Sequence, residues 1–156
     1  MSADYKKILV PLDGSELAAQ ALSHAREFVE RSAGELILLQ VVPDSATVNE
    51  LMADTSGLVN VGEREQRLIE TATAALATVV ADLARDQVAA RAVVRMGNAA
   101  ATILDYAREE AVDLIVMSTH GRTGIARWIF GSVADKVLQT APCPIFLIRA
   151  HTEPAP

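Results

Sequence analysis

A chain of 156 residues, 51% of them hydrophobic, is long enough for one compact domain with a proper core, which excludes extensive disorder. Its formal net charge of −6 excludes a general nucleic-acid binder, because gripping a phosphate backbone requires a basic face; any polyanion site is then a local patch. No apolar run reaches the length of a membrane span, MSADYKK lacks the apolar core of a signal peptide, and a lone cysteine, Cys143, rules out an internal disulfide, so a cytoplasmic protein is expected.

The hydrophobic pattern alternates short apolar runs with longer helical stripes. Ile8 to Val10 predicts a buried strand, and Leu17, Ala18, Ala21, Leu22, Ala25, Phe28 and Val29 form one stripe of a helix over 16–31. His24 falls on the polar face of that helix and is expected to be solvated, and Gly34 is expected to end it. Glu35 to Val42 is apolar enough for a strand covered on both faces. Pro43 to Gly62 is polar and patternless, and a long helix with Leu68, Ile69, Ala72, Leu76, Val79, Val80 and Leu83 on one side follows. Val88 to Arg95 predicts a third strand, and Gly97-Asn98 a turn and N-cap for a helix presenting Ile103, Leu104 and Ala107. Leu114 to Met117 predicts the fourth strand, Ser132 to Thr140 a short helix stopped by Pro142, and Ile145 to Ile148 the fifth strand.

This alternation implies an α/β fold, an open parallel sheet with helices on both faces, with 1–150 as a single domain and 151–156 as a flexible tail. The third strand, carrying Arg91 and Arg95, suits a sheet edge. The fifth, IFLI, lacks the charges that protect an edge, so either a strand from a second copy pairs with it or helices and the tail cover it.

Ligands of open parallel sheets bind beyond the carboxyl ends of the strands. Two loops there carry chemistry. In PLDGSE, Pro11 to Glu16, Asp13 or Ser15 can cap the following helix, or Asp13 can accept hydrogen bonds from a ligand or hold a metal through an anionic ligand. In MSTHGRTGIARWIFGSVADK, nine residues separate Gly121 from Gly131-Ser132. Glycine lets backbone approach an anion, and a helix starting near Ser132 aims free N–H groups and a positive dipole end at it. Arg122 and Arg127 add charge. Ser132 to Asp135 also fits a capping box, and the two roles are compatible.

Other chemistries lack their residues. The residue after Gly131 is Ser132, so there is no Walker A lysine; neither G-x-G-x-x-G nor G-x-S-x-G occurs; the His and Cys residues have no metal-ligand spacing, and Cys143 is expected to be an inert buried thiol.

The segments KKILVPLDGSE, LILLQVV, RMGNAAATILDYA, DLIVMSTHGRTG and GSVADKVLQTAPCPIFLIR together resemble the universal stress protein family. The resemblance implies a five-stranded Rossmann-like sheet of order 3-2-1-4-5, akin to the adenine nucleotide alpha hydrolases, with a nucleotide in the crevice between strands one and four. The ATP-binding branch carries a G-2x-G-9x-G-[S/T] motif, which falls at Ser118, Gly121, Gly131 and Ser132, with Ser118 in place of the first glycine. By the same resemblance, Pro11, Leu12 and Asp13 wall the adenine and ribose and Val41 contacts the adenine. Met117 to Gly121, with Ser118, Thr119 and His120 between them, run along the ribose and phosphates, and Arg122, Gly131, Ser132 and Val133 complete the phosphate cradle. It also implies a homodimer through antiparallel pairing of strand 145–148.

The resulting expectation is a stress-response regulator that holds ATP, with or without magnesium, and signals through its conformation or an unidentified protein partner, with no nucleic acid as partner. The alternatives are a site for AMP or cyclic AMP, a slow ATPase or phosphotransferase with Asp13 and His120 as its nearest candidate groups, and a dimeric interaction protein with a vacant site.

Overall fold

A computed structural model describes residues 4–47, 60–119 and 131–149. Strand β1 runs over Lys7–Leu12, helix α1 over Glu16–Ser32, β2 over Glu35–Val42, α2 over Val61–Arg85 and β3 over Ala90–Met96. Helix α3 follows over Ala99–Glu109, then β4 over Leu114–Ser118, α4 over Ser132–Thr140 and β5 over Ile145–Ile148. The strands form one parallel sheet in the order β3-β2-β1-β4-β5. Crossing from β1 to β4 reverses the direction in which the chain builds the sheet, and this is the switch point where a crevice opens.

Alternating side chains send the two sheet faces into two cores. Ile8, Val10, Leu36, Leu38, Leu114 and Val116 pack under α1 and α2 through Ala21, Ala25, Val29, Leu76 and Leu83. Leu9, Ile37, Leu39, Ile115 and Met117 pack under α3 and α4 through Ile103, Leu104, Ala107, Ala134 and Val137. Leu36 to Leu39 are wholly buried in sequence, as a strand covered on both faces requires.

Several boundaries differ from the hydrophobic pattern. Val88 is buried at 4% exposure, yet β3 starts at Ala90, because Val88 caps the core from the turn in which Gln87 takes φ 59°. Val61 and Gly62 belong to α2 and not to the connection before it. Gly34 does not end α1 by its conformation: Ala33 takes the left-handed turn at φ 49°. A Cβ on Gly34 would lie 2.5 Å from the Lys6 carbonyl oxygen and 2.8 Å from that of Tyr5, so the glycine is there for close backbone approach. Glu35 N–H donates to the same Lys6 oxygen at 2.7 Å, which seats the entry of β2 beside β1.

The two edges are built differently. On β3, Arg91 donates to the Tyr106 hydroxyl at 3.0 Å and to Glu110 at 3.1 Å, and Arg95 lies over the Tyr106 ring at 5.5 Å, so its arginines bind the edge to α3. On β5, Phe146 is 39% exposed and packs edge-on against Phe28 at 5.1 Å, with His24 on the exposed side at 5.9 Å. The 151–156 tail lies outside the described residues.

Candidate functional site

The carboxyl end of β1 runs into a turn at Gly14, whose φ of +83° a side chain would strain. Asp13 and Ser15 share the capping duty there. The Ser15 hydroxyl accepts from Ala18 N–H at 3.1 Å and caps α1, while Asp13 Oδ1 accepts from the Ser15 amide at 2.9 Å and from the Ser15 hydroxyl at 2.5 Å. The hydroxyl is therefore oriented by the carboxylate, and the Asp13 carboxylate is held at the mouth of the crevice.

The carboxyl end of β4 carries Met117, Ser118 and Thr119, all more than nine-tenths buried. Thr119 N–H donates to the Ile148 carbonyl at 2.8 Å, and its own carbonyl accepts from Gly131 N–H at 3.0 Å. That pairing brings the start of α4 against the end of β4. A Cβ on Gly131 would come within 3.1 Å of the Thr119 oxygen, so only glycine leaves the two backbones their present spacing without adjustment.

Gly131 is the N-cap of α4, and no side chain caps the helix. The capping box expected at Ser132 and Asp135 is therefore not formed. With glycine at the cap, Ser132 is the first helical residue and Asp135 lies too far along to reach back; its carboxylate instead accepts from Gln139 at 2.9 Å. Among the described residues no side chain accepts from the first-turn N–H groups, and the positive end of the helix dipole faces the crevice.

These ends enclose a cleft of about 240 Å³. One wall is Pro11, Leu12 and Asp13; another is Ser118, Thr119, Gly131 and Ser132; Leu39, Val41, Ile103 and Val133 give an apolar floor. Among the described residues that line it, Asp13 is the sole charged side chain, so anion binding there would rest on backbone N–H groups, hydroxyls and the helix dipole. Among the described residues no group of three His, Cys, Asp or Glu side chains is placed to hold a metal ion.

The universal stress protein family model matches residues 4–149. The chain belongs to that family. It is 29% identical to universal stress protein MJ0577 of Methanocaldococcus jannaschii over 158 residues, covering 96% of this chain and 98% of that protein. The solved structure of MJ0577 superposes with a TM-score of 0.82 at 27% identity, over 97% of this chain and 100% of that one. Two more distant family structures share the fold: one in complex with cAMP, at 18% identity, TM-score 0.61 and coverage of 94% and 98%, and one from Archaeoglobus fulgidus in complex with dAMP, at 19%, 0.64 and coverage of 94% and 99%.

In this universal stress protein, nine of the residues singled out from the sequence line the one cleft: Pro11, Leu12, Asp13, Val41, Met117, Ser118, Gly131, Ser132 and Val133. His120, Gly121 and Arg122 lie outside the described residues, as does Arg127. The cleft also takes in Thr119, inside the Met117 to Gly121 run expected along the ribose and phosphates, and Leu39 and Ile103, which the sequence reading did not assign to it. Leu39 was traceable, since it shares a strand face with Val41. What the sequence did not signal is the state of the Thr119 hydroxyl, which is buried without a hydrogen-bond partner.

Proposed function

We propose that this universal stress protein binds an adenine nucleotide, ATP first among them, in the cleft at the ends of β1 and β4, and acts as a stress-response regulator. The observation that carries the reading is the junction of an apolar floor with a glycine-capped helix start and an unpartnered buried hydroxyl. A flat aromatic base fits against Val41 and Leu39, and a phosphate fits at the helix start that no described side chain caps. Pro11, Leu12 and Asp13 would flank the sugar, and Met117, Ser118, Gly131, Ser132 and Val133 would follow the phosphates, with His120, Gly121 and Arg122 completing the set. Magnesium, if carried, would be held mainly by the nucleotide's own phosphate oxygens, with Asp13 as the nearest carboxylate.

Isothermal titration of nucleotide-free protein with ATP, with and without magnesium, tests this directly. Saturable binding is expected, and no binding of ATP, AMP or cyclic AMP would overturn it. A second reading, for AMP or cyclic AMP, is favoured by the dAMP and cAMP complexes of the two distant family structures. Competition among the three nucleotides separates it from the first.

We read the site as a holder more than a hydrolase. The sequence has no Walker lysine, and Asp13, the nearest carboxylate, is already engaged by Ser15. We also propose a single domain over 1–150 with a flexible 151–156 tail, a homodimer paired through strand 145–148, a cytoplasmic location and signalling to a protein partner and not to nucleic acid. The β5 edge, which no strand flanks among the described residues, and its exposed Phe146 support the dimer, the net charge of −6 argues against nucleic acid, and among the described residues no helix is long and apolar enough to cross a membrane.

A further inference from the structure

Phe146 on β5 stands against two residues one helical turn apart on α1, with ring centroids 5.1 Å from Phe28 and 5.9 Å from His24. Tyr5 extends the row behind Phe28 at 6.0 Å. Of these ring types only histidine changes its charge between about pH 5 and 8. His24 is itself exposed, and the phenyl ring it touches belongs to a strand that pairs only with β4 among the described residues.

Helix α1 packs over β1 and β4, so about one strand spacing, 4.8 Å, separates it from the β5 edge. A second copy that continues the sheet antiparallel through β5 is related by a two-fold axis perpendicular to the sheet, which keeps both copies of α1 on one face. The trough between those helices lies above the two β5 strands, where Phe146 and the His24 ring beside it stand in each copy. We propose that His24 makes the dimer pH-dependent: pairing covers the neutral imidazole against the Phe146 rings, and protonation places a charge in each copy beside the axis and loosens the pair. The proposal rests on the dimer reading above.

The charged groups nearest His24 along the chain are weak opponents. Glu27 and Arg31 follow it at i+3 and i+7 on α1, and Arg149 follows β5; all three are exposed, where water screens them. Neither IFLI nor β4 carries a charge. With a net charge of −6 per copy, acid otherwise lowers the repulsion between copies and tightens their association. Weakening in acid is therefore the mark of a covered imidazole, and the dimer holds above the histidine range and loosens as pH falls through it.

Sedimentation velocity over a concentration series at about pH 8 and about pH 5.5, with circular dichroism at each, tests this on the wild type, His24→Gln and His24→Arg. The wild-type dimer Kd is expected to rise on the order of tenfold in acid. His24→Gln, neutral throughout, is expected to dimerise as tightly in acid as at the higher pH. His24→Arg, a planar cation throughout, is expected to dimerise weakly already at the higher pH. A wild type of equal Kd at both pH values, a His24→Gln protein that loosens in acid as the wild type does, or a His24→Arg protein that matches the wild type at the higher pH overturns the inference while the dimer stands. If acid unfolds the wild type, His24→Arg at the higher pH decides. A wild type that is monomeric at the higher pH at every concentration overturns both.

Discussion

The backbone N–H of Gly131 donates to the carbonyl of Thr119 at 3.0 Å, joining the start of α4 to the end of β4. This bond sets the width of the cleft on its phosphate side, because every lining residue from Gly131 to Ala134 follows from where that helix begins. It also explains why glycine, and not the serine after it, occupies the cap.

Gly131→Ala measures how tightly the junction is packed. The new Cβ would sit 3.1 Å from the Thr119 oxygen, so one backbone must give by a few tenths of an ångström. The backbone conformation itself, at φ −52°, is open to alanine. The expected outcome is a loss of about 1 kcal/mol, a melting temperature lower by about 2–4 °C, and weaker ATP binding from the displaced helix start. A variant that melts and binds like the wild type would mean that Thr119 yields freely.

Two other glycines separate steric from conformational demand. Gly34→Ala puts a Cβ 2.5 Å from a backbone oxygen that cannot swing away, and a loss of more than about 2 kcal/mol is expected as β1 and β2 part. Gly14→Ala meets nothing closer than Gln40 at 3.9 Å but must hold φ +83°, and a loss of about 1 kcal/mol is expected. Urea denaturation of both variants ranks them, and the reverse order would refute the assignment.

How far the sequence discloses this molecule depends on what each feature needs. Apolar runs report burial, and burial placed β2, α4 and β5 at their observed limits. Strand pairing is a different property, which is why Val88 is buried but unpaired and β1 extends past its apolar core to Lys7 and Leu12. The cleft was legible because both loops follow strands on either side of the switch point, a matter of chain order. Local hydrogen-bond choice was not: Asp13 and Ser15 are both good caps, and only the fold shows Ser15 capping while Asp13 orients it. The cap of α4 misled for a related reason, since Gly131 and Ser132 are adjacent residues of comparable capping power.

Cys143 is expected to be slow toward thiol reagents. Burial, and then the nearby Asp113 carboxylate, push its pKa above the usual 9.0, because both disfavour the thiolate. The protonated thiol therefore persists through neutral pH, and labelling by iodoacetamide should climb only as pH passes 9.0. In denaturant, where both influences are gone, labelling should begin at lower pH. Rapid labelling of the folded protein at neutral pH would contradict this.

Phe146→Lys tests the β5 edge. Along β5 the side chains alternate: Ile145 and Leu147 pack onto the α3–α4 core, whereas Phe146 points to the α1 side and remains 39% exposed. Among the described residues β5 pairs only with β4, so one row of its backbone N–H and C=O groups has no described strand beside it. A second copy running antiparallel satisfies that row and covers the phenyl ring, whereas a lysine on an edge strand is a common device for preventing such pairing. Sedimentation velocity over a concentration series is expected to show the wild type as a dimer and Phe146→Lys as a monomer. The ring contact with Phe28 is lost as well, at about 1 kcal/mol, so the variant should remain folded with a melting temperature lower by about 2–4 °C. A wild type that stays monomeric at every concentration, or a variant that dimerises as the wild type does, would remove β5 from the interface.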